Sequence, residues 1–515
     1  MRSKAHTVLA VFCLAFPLYG QMDTNRPVKP LTLAESIRLA LENNLQIARV
    51  RYEPRIAGYR LSGDYAYYEP TFQANARHNY SEREGQFDPL IGQLPPSKTE
   101  SDIFGGGVGG VLPYTGLRYS IDSSFQHVMG ESAFRSDIDD YSSDAGITLR
   151  QPLLRDFWID AQRLSIKLAK KDLKISEYAV AEQVMNTVAA VETAFYDLIG
   201  SLDQVKTREI AVSLADRLVA ENRKRVEVGT MAPLDEKQAE SEAALRRAEL
   251  IQARSDVRRL ENIVKSLISN NYQEWQEVAI VPQEKLLAVA HTYDLQESWQ
   301  SGLDNRPDYA AAKERLERQG IAVKYTINQL FPALDVTGTY GRSGFDNRSV
   351  IGSGTNVVTR DSSFSGTLAD LRDEVNPRYS YGVILTVPLT FTAERARHKE
   401  AKALQEQLKI DLQVVHQNIL IGIDDAMKAA RAAYERAQAT RAAREFAEIA
   451  LDAEQKKLDN GRSTSFVVLQ LQRNLTDNRA QETQALSDYN RALAVLYLRE
   501  GTILNKNNVR LDIEK

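Results

Sequence analysis

The chain has 515 residues, with 65 Lys and Arg against 69 Asp and Glu for a net charge of −4. There is no basic excess to neutralise a phosphate backbone, which excludes nucleic acid as a main partner. Its single cysteine, Cys13, excludes a disulfide framework and any cysteine-based zinc, iron–sulfur or thiol catalytic site.

In chain order, Arg2 and Lys4 precede an apolar run from Val8 to Leu18 and then Gly20. This is the layout of a secretory signal peptide over residues 1–20, which would take Cys13 with it. Cys13 sits mid-run behind the bulky Phe12, which argues against lipoprotein acylation. No later apolar run reaches the roughly 18 residues of a membrane-spanning helix, so any span has to be built from strands.

Thr32 reads as an N-cap with Glu35 completing a capping box, and Leu33, Ile37, Leu41 and Leu45 fall on one helical face. From Pro70 the period changes to two. Phe72, Ala74, Ala76, His78 and Tyr80 alternate with Gln73, Asn75, Arg77 and Asn79. A strand pair, Phe104 to Leu112 and Leu117 to Phe125, flanks the turn Pro113-Tyr114-Thr115-Gly116. Tyr141, Ala145, Ile147 and Leu149 then alternate with Ser142, Asp144, Thr148 and Arg150. From about Asp160 to Val228 the pattern is helical, with Val184, Val188, Val191, Phe195, Leu198, Leu202 and Val205 on a coiled-coil seam.

The second half repeats this order. Leu334, Val336 and Tyr340, then Tyr379, Tyr381, Val383, Leu385 and Val387, alternate with polar neighbours. The stretch from Ser343 to Asn376 is polar and Gly-rich and reads as an exposed loop. A second long helix is expected from about Thr392 to Asn460, alanine-rich from Ala426 to Ala453, and Leu486, Tyr489, Leu493 and Leu496 resume heptad spacing. Most aromatic residues cluster around the strands, as the flanks of a transmembrane β-barrel do.

The halves align as a duplication. Leu33-Ala34-Glu35-Ser36-Ile37 recurs as Leu295-Gln296-Glu297-Ser298-Trp299, Asn43 as Asn305, and Pro70 as Pro332, all at one offset. Gln151-Pro152-Leu153 pairs with Val387-Pro388-Leu389 and Val228-Gly229-Thr230 with Asn460-Gly461-Arg462, at shorter offsets that leave an insertion in the first half. The expected layout is a first structural repeat over 21–269, a linker over 270–294, a second repeat over 295–503 and a tail over 504–515.

These residues carry a family resemblance. Leu31-Thr32-Leu33-Ala34-Glu35-Ser36-Ile37, Arg150-Gln151-Pro152-Leu153-Leu154, Val228-Gly229-Thr230 with Asp235, Asn305-Arg306-Pro307-Asp308, Gly461-Arg462-Ser463-Thr464-Ser465 and Asp488-Tyr489-Asn490-Arg491-Ala492-Leu493 ahead of Gly501-Thr502 follow in order. In this the chain resembles TolC-like outer membrane efflux proteins along its whole mature length. The resemblance implies a mixed α and β membrane protein of two tandem repeats: a homotrimer in which each chain lends four strands to one outer membrane β-barrel, in contact with lipid. Its helices would continue into a long periplasmic coiled-coil tunnel docked to a periplasmic adaptor (membrane fusion) protein and an inner membrane transporter. Four strands cannot close a barrel alone, so strand edges and apolar helix stripes independently ask for oligomerisation.

No chemistry competes well. Gly105-Gly106-Gly107-Val108-Gly109-Gly110 matches a dinucleotide-binding spacing, but a strand and a turn follow it where that motif needs a helix. His78, His127, His291, His398 and His416 show no metal-ligand spacing, and the helical carboxylates alternate with Lys and Arg as a solvated face does. No enzyme and no cofactor or metal is expected. Two readings stay open: a passive exit duct of tripartite efflux or type I secretion, and a non-conducting periplasmic coiled-coil spacer anchored by a small barrel.

The helix reversals at Val228, Gly229 and Thr230 and at Gly461, Arg462 and Ser463 are the expected adaptor-docking tips, with Pro233 opening a returning helix. Some members of the resembled family gate the entrance with acidic rings six and nine residues beyond the second tip glycine; here those positions are Val467 and Gln470. Asp235 matches a family carboxylate, but the arginine that pairs with it is replaced by Ser463, with Arg462 one residue nearer. The expectation is an apolar, weaker constriction at Val467 with little block by divalent cations.

Overall fold

The computed structural model describes residues 26–132, 135–229, 231–351, 358–373, 375–460 and 462–510. Residues 1–20, where a signal peptide is expected, lie outside them. The first half runs β1 (Val28–Leu31), α1 (Leu33–Asn43), α2 (Leu45–Val50), α3 (Tyr52–Tyr65), β2 (Thr71–Arg83), β3 (Phe87–Asp88), β4 (Gly92–Gln93), β5 (Ser97–Val111), β6 (Arg118–Ser132) and β7 (Arg135–Pro152). It continues with α4 (Ala161–Glu227), α5 (Pro233–Ile268), α6 (Tyr272–Trp275) and β8 (Ala279–Pro282). The second half runs α7 (Leu295–Asn305), α8 (Pro307–Asn328), β9 (Ala333–Asn347), β10 (Ser349–Ile351), β11 (Val358–Arg360), α9 (Phe364–Arg372) and β12 (Pro377–Thr386). Two long helices, α10 (Thr392–Asp459) and α11 (Ser465–Arg499), and the short α12 (Ile503–Lys506) complete it. α4 and α10 end within a residue or two of the sequence expectation, because no proline interrupts either run.

The chain divides into two compact units, each assembled from pieces of both halves. One unit comprises residues up to Leu45, Thr187–Thr292 and Lys428–Leu496. Within it the Thr32 hydroxyl caps α1 by accepting the Glu35 amide at 3.1 Å. The helix breaks at Asn44, whose side-chain amide donates to the Leu267 carbonyl at 3.0 Å. That break turns Leu45 out to 61% exposure, so the expected Leu33–Leu45 stripe ends one turn early. β1 and β8 form a parallel pair. On α4, Phe195 and Ile199 pack with Leu286 against Leu33, Tyr196 and Leu486. Burial along this part of α4 covers more than the expected seam: Ala189, Glu192 and Ala194 are buried beside Val188, Val191, Phe195 and Leu198. Gly200 admits α11, since a Cβ there would sit 3.2 Å from the Ser487 Cβ.

The other unit comprises Gln46–Asn186, Tyr293–Met427 and the chain from Tyr497. Its centre is one antiparallel sheet of six strands in the order β12-β9-β7-β6-β5-β2. This corrects the expected four: the hairpin around Pro113 to Gly116 extends into β5 and β6, longer than expected, and lies in the same sheet between β2 and β7. The expectation of an exposed loop from Ser343 to Asn376 is also corrected. Ser343 to Asn347 complete β9, β10 and β11 pair, and α9 packs on β9 and β7. Polar residues build that packing: the Ser363 amide donates to the Asp346 carboxylate at 3.1 Å, the Ser143 hydroxyl to the Thr367 carbonyl at 3.2 Å, and Thr367 is buried.

A helix corner completes this unit. Pro307 begins α8, Arg306 and Asp308 form a two-armed ion pair at 2.9 and 2.6 Å, and Gly501, with φ +72°, approaches Asn305. The Asn305-Arg306-Pro307-Asp308 and Gly501-Thr502 motifs thus meet as one structural joint. Gly302 admits Ile423 and Ile419 of α10.

Candidate functional site

The first candidate surface is the sheet. Residues directly opposite in an antiparallel ladder share a face. Phe72, Val108, Ile121, Ile147, Tyr340 and Tyr379 therefore form one row across all six strands. Leu149, Gly338 and Tyr381 form another on that face, joined by Val383 and Leu385 further along β12. The opposite face carries Gln73, Asn75 and Arg77, Asp122 and Ser124, Asp144, Thr148 and Arg150, and Thr337 and Thr339. Tyr141, Ile147, Leu149, Tyr381, Val383 and Leu385 thus share one face and Asp144, Thr148 and Arg150 the other, as the alternation led us to expect. Arg150 reaches Asp335 at 2.5 Å and Arg378 reaches Asp144 at 3.4 Å on the polar face. Among the described residues no helix is long and apolar enough to cross a membrane, and no group of His, Cys, Asp and Glu is arranged to hold a metal ion.

The second candidate surface is the pair of helix reversals. After α4, Gly229 adopts φ +73° with open space around it, so its backbone conformation, not crowding, asks for glycine. Pro233 occupies the first turn of α5, where its missing N–H costs nothing. Val228 and Leu234 stand out at 72% and 66% exposure. Thr230 and Gly461 lie outside the described residues. In the second reversal the Arg462 amide donates to the Lys457 carbonyl at 2.8 Å and the Ser463 hydroxyl to Glu454 at 2.6 Å. The Lys457 ammonium and that hydroxyl hold the Glu454 carboxyl below its usual range. Phe466 and Val467 are exposed, while Val468 is buried with Leu451 and Leu475.

Of the gate candidates, Asp235 sits in the first turn of α5 with its carbonyl accepting from Asn222 at 3.3 Å. Gln470 contacts Asn474 at 3.3 Å. Among the described residues no ion pair joins Asp235 to Arg462.

Sequence reasoning missed a charge network farther along these helices. Glu242 of α5, 5% exposed, binds Arg473 of α11 through two oxygens and Arg246 at 2.8 Å. Arg246 also meets Glu249, which accepts from Arg208 of α4 at 2.8 Å. Burial would raise the Glu242 carboxyl, but the Arg473 hydrogen bonds and the Arg246 charge outweigh it and lower it. Residues 231 apart in sequence give no local sign of such a pair.

The family model described as "Outer membrane efflux protein" matches residues 113–269 and 299–502. Among proteins of curated function none matches the chain in sequence. The fold is similar to that of solved structures: a membrane protein from Pseudomonas aeruginosa (18% identity, 92% of this chain and 91% of that one, TM-score 0.64) and the Campylobacter jejuni CmeC outer membrane channel (15%, 94% and 90%, 0.64). The outer membrane protein VceC from Vibrio cholerae is likewise similar (16%, 91% and 96%, 0.64).

Proposed function

The chain belongs to the outer membrane efflux protein family, and from that premise we propose that three copies form a passive exit duct spanning the outer membrane and continuing into the periplasm. The observation that carries the reading is the two-faced sheet. Where no helix among the described residues is long and apolar enough to cross a membrane, the strands present one apolar and one polar face, so the apolar rows turn to lipid and the polar rows line a lumen. A charged side chain at mid-bilayer depth would cost roughly 2–4 kcal/mol, which fixes that orientation.

Exposed apolar side chains on the long helices support assembly. Ile210, Leu245, Ile251, Phe446 and Ile449 lie open on the single chain and ask for neighbouring copies. We take the halves, 21–269 and 295–503, as tandem repeats joined by 270–294; the recurring order of short helix, strands and long helical hairpin supports this. Energy and selection come from an inner membrane pump, relayed by a periplasmic adaptor.

Val228, Leu234, Phe466 and Val467 give the reversals an apolar rim suited to that adaptor. Bulky charged replacements, Gly229→Arg with Gly461→Arg, test the docking role. Export should be lost while the protein still reaches the outer membrane, and unchanged export would overturn it. At the entrance Val467 and Gln470 supply no carboxylates, so divalent cations should block the pore weakly.

A further inference from the structure

We propose that α9 is an interfacial helix, lying in the outer leaflet of the membrane against the outside of the sheet, so that the segment between β9 and β12 meets lipid and not the lumen. This rests on the reading above that the apolar rows turn to lipid, and deepens it. The strand residues that seat α9 all belong to one face. Gly344 and Asp346 are in phase with Tyr340 on β9, Ser143 with Ile147 on β7 and Phe125 with Ile121 on β6. The Ser143 hydroxyl donates to the Thr367 carbonyl, the Asp346 carboxylate accepts from Ser363, and a Cβ at Gly344 would run into that same Thr367 carbonyl. The Phe125 and Phe364 rings lie 5.1 Å apart. The helix is therefore seated on the apolar side of the sheet.

Its seat hides polar groups that lipid would not tolerate. β12 pairs with β9 only as far as Pro377 with Arg342, while β9 runs on to Asn347. α9 closes the edge left open there: the Asp370 carboxylate accepts the Phe345 amide at 3.3 Å, and Arg342 donates to the Leu371 carbonyl at 3.2 Å. Ser143 and Asp346 are buried beneath it. In their place the helix turns Phe364 and Leu368, one turn apart, outward at 47% and 39% exposure, and Val375 follows, also exposed. The apolar face thus continues past the end of β12 on a helix.

Height and charge suit a membrane boundary. β7 and β12 lead into the long helices from their other ends, so α9 sits on the outer rim. An apolar band about 25 Å tall on strands tilted by about 40° takes about ten residues, which, counted along β9 from Leu334 where it pairs with Leu385, end near Ser343. α9 crosses β9 there. Arg372, paired with Asp373 at 2.8 Å, stands exposed beside the apolar stripe, as a cation at the headgroups does.

Spin-label accessibility in the full-length protein tests this. In a Cys13→Ala background, Phe364→Cys, Leu368→Cys, Tyr381→Cys and Lys237→Cys each carry a nitroxide, and the protein is reconstituted into vesicles of phosphatidylethanolamine and phosphatidylglycerol. Tyr381 is the reference for the lipid-facing sheet, and Lys237, exposed on α5, the reference for water. Collisions with oxygen, which concentrates in lipid, are compared with collisions with a nickel chelate, which stays in water. Labels on Phe364→Cys and Leu368→Cys should show the oxygen preference of Tyr381→Cys and lose the chelate collisions of Lys237→Cys. Chelate access at both, with oxygen preference kept at Tyr381→Cys, would overturn the proposal and leave the lipid-facing sheet standing. Labels that neither reagent reaches would put another copy over the helix and overturn it as well. Chelate access at Tyr381→Cys would overturn both readings.

Discussion

Replacing Glu242 by alanine removes a carboxylate that joins α5 to α11. Breaking a buried ion pair from one side typically costs 3–5 kcal/mol, because the remaining charge loses its partner. Two features reduce that here. Arg473 is 45% exposed and can hydrate, and Arg246, only 8% exposed, keeps Glu249 at 2.9 Å. About 2 kcal/mol is the expected loss, which corresponds to roughly thirtyfold more frequent local opening. Amide hydrogen exchange of the purified full-length protein reads it directly, in peptides spanning the first turns beyond Glu242 and around Arg473. A double-mutant cycle of Glu242→Ala with Arg473→Met should return a coupling of about 1 kcal/mol. The carboxyl is held below its ordinary value, so its contribution is complete above the unfolded value near 4.5 and fades on acidification through the lower folded value. Less than a twofold change in exchange, or additive single effects, would refute the reasoning.

Other consequences are more local. At Gly302 an added Cβ would sit 2.5 Å from Ile423, so Gly302→Val should cost about 1–3 kcal/mol and raise exchange in α7. Lys265 is fully buried and its ammonium is pushed down by burial, so the unfolded chain binds the extra proton and this group's stabilising effect rises with pH. Lys265→Met should therefore stay within about 1 kcal/mol of the parent in denaturant unfolding at neutral pH, where Lys265→Ala should lose more. Gly229→Ala should cost about 1–2 kcal/mol through its positive φ alone, and Gly229→Asn less, as read by exchange at the α4 end. Single-channel current should fall little when divalent cations are added from the periplasmic side, and strong block would mean that Asp235 or Asp459 forms the entrance ring.

The long helices were legible because length without proline leaves few alternatives, and the strand faces because period two decides them. The conformational freedom of Gly229 and the fixed φ of Pro233 also marked the reversal after α4. What escaped was whatever depends on distant partners. Ser343 to Asn376 reads as loop because its serines and aspartates are polar, yet Asp346 and Ser363 spend that polarity on seating α9. The sequence does not say whether the hairpin of β5 and β6 widens the sheet or rises above it; only the register of β6 on β7 does. Glu242 and Arg473 each look like one more charge on a solvated helix until α5 and α11 are brought together.

Conduction is the property that separates a duct from a spacer. Purified protein is added to a planar lipid bilayer under an applied voltage and the current is recorded with and without a cognate adaptor. Discrete, long-lived steps of uniform size, altered when adaptor is added, are the expected result. Inserted trimers that carry no current in either condition would contradict the account and leave a structural spacer in its place.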